Sequence, residues 1–202
     1  MIKEACIGSL KEALLAQKNG ANRIELCDNL EEGGTTPSYG TIKKCIDILN
    51  IPIACMIRPR GGNFTYTKEE IEVMIEDIKV CKQLGVESVV FGVLKEDNTL
   101  DIENMKILCD VAKPLNIVFH KAIDETKNPL DLVDTLYTLG VNRILTSGTK
   151  NTAIEGSDII NSLIEKCRDK ITIVAAGKVT KDNLEYLSNI LHTDQFHGKK
   201  IV

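Results

Sequence analysis

The chain has 202 residues, 43% hydrophobic and 27% charged, which is globular composition with enough apolar material for one packed domain over residues 1–202. Its 25 basic residues against 29 acidic ones leave a net charge of −4, and with 4% aromatics and no tryptophan this excludes the phosphate-tracking and base-stacking surfaces of nucleic-acid binders. No apolar run approaches the roughly 18–20 residues of a membrane span, and Lys3 and Glu4 stand where a signal peptide would be turning apolar, so a cytoplasmic protein with no membrane partner is expected.

In chain order, a strand over 1–7 leads to a helix over 9–18 and a strand over 23–28. A helix over 39–49 and a strand over 52–58 come next. The helix over 68–84 is the best defined, because Thr67 and Glu70 stand at capping-box spacing while Ile71, Met74, Ile75 and Ile78 recur on one face. Strands over 88–93 and 116–121 flank a helix over 101–112. A helix over 129–139, a strand over 143–147, a helix over 155–168, a strand over 171–176, a helix over 180–190 and a strand over 194–197 complete the pattern. Three segments echo one another: Gly20-Ala21-Asn22-Arg23-Ile24, Gly85-Val86-Glu87-Ser88-Val89 and Gly140-Val141-Asn142-Arg143-Ile144 each close a helix and open a strand. Eight strands alternating with seven helices imply parallel pairing through crossovers. The repeat of about 25 residues predicts a compact (β/α)8 barrel of the triosephosphate-isomerase type, lacking its eighth helix.

In such a barrel the carboxyl ends of the strands share one bowl. They carry Glu4 and Cys6, Glu25 and Cys27, Met56 and Arg58, His120 and Lys121, Thr146 and Ser147, then His197. Charges inside apolar strands must be paired, so Arg58, with His120 or Lys121, is expected to compensate Glu4 and Glu25. Glu4 and Cys6 share a face by parity, as do Glu25 and Cys27 on the neighbouring strand about 4.8 Å away. If that face is the inward one, two thiols meet there, and a two-cysteine site without histidine suits low-coordinate Cu(I). The seven cysteines include no Cys-x-x-Cys pair, which excludes zinc ribbons and thioredoxin-like motifs.

The loops carry a second theme. Arg58 and Arg60 flank a Gly61-Gly62 turn, and guanidiniums are suited to carboxylate or phosphate. Ser147-Gly148 after the sixth strand and Gly177 after the seventh are further candidate anion-binding positions.

Taken together, Glu4-Ala5-Cys6, Ile24-Glu25-Leu26-Cys27, Gly33-Gly34-Thr35-Thr36-Pro37-Ser38, Met56-Ile57-Arg58-Pro59-Arg60-Gly61-Gly62, Phe119-His120-Lys121-Ala122 and Thr146-Ser147-Gly148 resemble the CutC family across essentially the whole chain. The resemblance implies a triosephosphate-isomerase-type barrel, a cytosolic homo-oligomer, copper as the bound ion and a role in copper homeostasis. It also implies Cys6 and Cys27 as its Cu(I) ligands. The chain departs from the family pattern at Lys121, where arginine is usual, at Ala176-Gly177-Lys178, and at Gly198-Lys199. Two functions are therefore expected: Cu(I) handling by Cys6 and Cys27, or an isomerase, epimerase or aldolase acting on a small anionic or phosphorylated metabolite. In the second, Arg58 and Arg60 hold the anion, Glu25 or Glu4 serves as base and His120 as acid or electrophile.

Overall fold

The computed structural model describes the whole chain, Met1–Val202. Its eight strands are β1 (Ile2–Ile7), β2 (Arg23–Leu26), β3 (Ile53–Met56), β4 (Ser88–Phe91), β5 (Asn116–Phe119), β6 (Arg143–Thr146), β7 (Thr172–Ala175) and β8 (Gln195–Gly198). All are parallel to their neighbours and close in sequence order, with Glu4 of β1 opposite His197 of β8. Seven helices make the crossovers: α1 (Leu10–Lys18), α2 (Tyr39–Ile48), α3 (Lys68–Leu84), α4 (Ile102–Ala112), α5 (Val133–Thr138), α6 (Ser157–Cys167) and α7 (Leu184–Ile190). The architecture is a triosephosphate-isomerase-type barrel with one helix fewer than eight.

Local chemistry sets the helix ends. The Thr67 hydroxyl accepts from the Glu70 N–H at 3.3 Å while the Glu70 carboxylate accepts from the Thr67 N–H at 2.9 Å, so the capping box forms. Gly20, Gly85 and Gly140 take φ of +91°, +79° and +89°, the left-handed turn that the repeated segment predicts. Two of the predicted helices differ from expectation. Residues 129–139 divide into a 3-10 turn, Pro129–Leu132, followed by α5. The last helix begins at Leu184 rather than at 180: residues 180–183 form a turn in which the Asn183 N–H donates to the Thr180 carbonyl at 3.2 Å and the Asn183 side chain accepts from the Thr180 N–H at 2.8 Å.

Strand alternation separates two apolar populations. Ile24, Leu26, Ile53, Cys55, Ile57 and Phe91 face the helices and join the main core. Cys6, Cys27, Ala54, Met56, Val90, Val118, Leu145, Val174 and Ala176 form a separate cluster inside the barrel. The parity of Cys6 and Cys27 therefore points inward, whereas Cys45, Cys55, Cys81, Cys109 and Cys167 belong to the core between barrel and helices. Beside β1 and β8, Ala5, Ile7 and Phe196 are buried in the same core cluster as Ile201, near the end of the chain. No helix is long and apolar enough to cross a membrane.

Candidate metal centre and ligand cavity

A cavity of about 790 Å³ opens at the carboxyl ends of the strands, lined among others by Cys6, Glu25, Met56, Arg58, His120 and His197. Its floor is an ionic chain. The Glu4 carboxylate pairs with the Arg23 guanidinium through one oxygen, and its other oxygen lies 2.8 Å from His197 Nδ1. Arg23 also donates to the Gln195 side chain at 2.9 Å. His197 Nε2 lies 3.7 Å from Glu25, and Cys27 Sγ lies 3.5 Å from the same Glu25 oxygen. One donor atom each of Cys6, Glu25 and Cys27 falls within 4.8 Å of the others, and so does one each of Glu4, Glu25 and His197.

Electrostatics divides the two carboxyls. Burial opposes ionisation of Glu4, but the hydrogen bonds and charges of His197 and Arg23 outweigh it and hold the group at about 2. Burial pushes Glu25 up to about 8; negative charge on Cys6 and Glu4 adds to this and His197 opposes it. Around neutral pH Glu4 is thus ionised and Glu25 carries its proton. The hydrogen bond from Cys27 holds the Cys6 thiol well below its ordinary value against the cost of burial, with His197 assisting. Accepting that role pushes Cys27 in the opposite direction, and burial adds to it. For His197, burial favours the neutral ring, yet Glu25, Cys6 and Glu4 together raise it well above the ordinary imidazole range.

The predicted compensation of Glu4 and Glu25 by Arg58 is corrected. Arg58 donates instead to the carbonyls of Glu32, Gly34 and Gly62 at 2.9, 3.1 and 2.6 Å, tying together the loops that follow β2 and β3. The reason is register: Glu4 and Arg23 are opposite each other in the β1–β2 ladder, so the counter-ion comes from the adjacent strand. Arg60 turns away from the cavity to Glu70, Asn63 and the Thr65 carbonyl. Ser147 and Gly148 lie beside a carboxylate of the chain itself. Asp124 accepts from the N–H groups of Ser147 and Thr149 and from both hydroxyls of Thr146 and Ser147, at 2.5–3.0 Å. Gly177 and Lys121 line the cavity wall.

His120 follows β5, and its Nδ1 accepts the Ala122 N–H at 3.2 Å, which caps the 3-10 turn Lys121–Glu125. Burial, assisted by the charge of Arg58, pushes this histidine down to about 3. It is therefore neutral, with its proton on Nε2. A neutral buried histidine contributes stability that is complete above the ordinary value of 6.5 and is lost as pH falls from there towards 3. At pH 5 the loss is on the order of 2 kcal/mol. Denaturant titrations at pH 7 and pH 5 are expected to show this increment in the wild type and not in His120→Gln; an equal loss in both proteins would contradict it.

Gly34 has φ of +92°, and a Cβ there would stand 3.1 Å from Cys27 Sγ and 3.7 Å from Met56 Cε. The loop after β2 thus packs its backbone directly on the thiol, with the Met56 methyl close by. Gly34→Ala is expected to cost roughly 1–3 kcal/mol, read as a lower midpoint in urea; an unchanged midpoint would contradict this packing.

Sequence reasoning placed the cysteines, carboxylates, Arg58 and His120 at this mouth but gave no role to His197 or Arg23. The signal for both was available: His197 is the only histidine in the predicted last strand, and Arg23 opens the second strand within a repeated segment.

The chain is similar in sequence and fold to known proteins. The family model described as "CutC family" matches residues 1–202. A Homo sapiens relative, "Copper homeostasis protein cutC homolog", is 41% identical over 196 residues, covering 97% of this chain and 72% of the relative. A crystal structure from Streptococcus agalactiae, titled as a copper homeostasis protein CutC, superposes with a TM-score of 0.96 at 37% identity, covering 100% of both chains. A Coccidioides immitis structure titled as a deoxyribose-phosphate aldolase reaches 0.68 at 12% identity over 98% of this chain and 81% of that one, a likeness of fold alone. The chain belongs to the CutC family of copper homeostasis proteins.

Proposed function

We propose that the protein binds one Cu(I) at the barrel mouth through Cys6 and Cys27. The observation that carries this reading is the convergence of two inward-facing thiols from adjacent strands, within 4.8 Å of each other and of Glu25. Two soft donors suit a soft monovalent ion.

Charge balance favours the same ion. Arg23 and His197 flank a single ionised carboxylate, Glu4, so the floor of the site carries one net positive charge. A Cu(I) held by two thiolates carries one net negative charge. The two cancel at close range among buried side chains, where an uncompensated charge is costly. Glu25, protonated at neutral pH, adds no charge and remains a hydrogen-bond partner for Cys27. The same floor does not suit a hard divalent ion, which takes oxygen ligands in larger number.

Titration of reduced protein with Cu(I) against a competing colorimetric chelator tests the proposal. Saturation at one equivalent is expected. Failure to compete at all, or uptake of several equivalents without a break at one, would overturn it.

A further inference from the structure

The cavity also holds donors that the copper reading does not use. Arg58 is 5% exposed and forms no ion pair; its terminal nitrogens are spent on three backbone carbonyls and its Nε–H has no partner. His120 is 4% exposed, and because its Nδ1 accepts from Ala122, its Nε2 carries a proton that is also without a partner. Both residues line the cavity. Their common cover is Phe64, whose ring lies 4.9 Å from the Arg58 guanidinium carbon and 4.7 Å, centroid to centroid, from the His120 ring. Gly92 provides the seat of the imidazole: a Cβ there would strike the ring at 2.8 Å.

Buried donors left unpaired, and a buried cation left without a counter-ion, are costly features that a ligand would relieve. The number and charge of the free groups select its class. One positive charge and two N–H donors match a single carboxylate, with one negative charge and two oxygens. A phosphoryl dianion would bring one charge and at least one oxygen more than these residues answer. We propose that Arg58 and His120 form a recognition subsite for a small organic carboxylate, reached when the Phe64 ring swings aside. The subsite shares the barrel mouth with the two thiols but does not depend on metal.

The test uses metal-free, reduced protein, both wild type and Cys6→Ser/Cys27→Ser, so that its outcome is independent of copper binding. Acetate, pyruvate and succinate are titrated at constant ionic strength, with chloride and inorganic phosphate as competing anions. Expected results are a saturable rise in Tm with at least one carboxylate and a shift of the His120 ring nitrogens in 15N spectra, in both proteins. His120→Phe should abolish the response, Phe64→Ala should bind at least as tightly as wild type, and Arg58→Lys should weaken binding by about tenfold or more, the worth of one charge-assisted hydrogen bond. The ring-nitrogen shift in unmutated protein keeps the test decisive if Arg58→Lys fails to fold. No saturable response to any carboxylate, binding of phosphate in preference, or binding unaltered in His120→Phe would each overturn the proposal.

Discussion

Cys6→Ser/Cys27→Ser is expected to lower Cu(I) affinity by more than about a hundredfold, since loss of a mere outer-shell partner of a metal ligand already costs about 10–100-fold. A hydroxyl is close to a thiol in size but is a hard, weakly acidic donor with little affinity for Cu(I). Each single variant should lose most of the affinity as well, because one remaining thiolate cannot hold a two-coordinate ion. The substitutions leave the barrel able to fold: serine is no larger than cysteine in the inner cluster, and a hydroxyl at position 27 retains Glu25 as hydrogen-bond acceptor. Competition titrations on the three variants, with circular dichroism to confirm folding, measure the effect. Wild-type affinity in the folded double variant would remove the thiols from the site.

The second large effect is on stability. Glu4→Gln removes the only negative charge between Arg23 and His197 while conserving shape, leaving the buried Arg23 guanidinium and the half-buried His197 ring without it. Breaking a buried ion pair from one side costs about 3–5 kcal/mol, which for a chain of this size lowers Tm by roughly 6–20 °C. The sign of the pH dependence follows from the depressed carboxyl. With a folded value of about 2 against an ordinary 4.5, the contribution of Glu4 is complete above pH 4.5 and is lost as pH falls towards 2. The gap between wild type and Glu4→Gln should therefore be full near pH 7 and close progressively below 4.5. A gap independent of pH would mean that packing, and not charge, carries the loss.

Both predictions rest on features with unequal legibility in the chain. The barrel was legible because its evidence is local and repeated: helix-closing glycines before Arg23-Ile24, Ser88-Val89 and Arg143-Ile144, a capping box at Thr67, and apolar runs of strand length. The inward direction of Cys6 and Cys27 followed only conditionally, since parity fixes that Glu4 shares a face with Cys6 but not which face. What decides the direction is collective. Ala5, Ile7, Ile24 and Leu26 are bulkier and more apolar on average than Glu4, Cys6, Glu25 and Cys27, and they go to the thick core under the helices.

Partner choice was the least legible part. Arg58 was expected beside Glu4 or Glu25, but the β1–β2 register gives Glu4 to Arg23, and closure of the barrel brings His197 from the far end of the chain to its other oxygen. Register and closure are non-local quantities that no spacing within one strand encodes. Arg60 was expected to capture a ligand, yet Glu70, already placed at the start of α3 by its capping role, lies within reach and takes the guanidinium. Ser147 likewise meets Asp124, which a 3-10 turn absent from the predicted pattern delivers to it. At Arg60 and Ser147 a carboxylate of the chain itself stands where a ligand was expected. Arg58 and His120 keep unpaired donors at the cavity.

X-ray absorption at the copper edge of protein loaded with one equivalent of Cu(I) tests the central claim most directly. A first shell of sulfur that disappears on substitution of Cys6 and Cys27 is the predicted result; a shell of nitrogen or oxygen, or a sulfur shell that survives the double substitution, would contradict it.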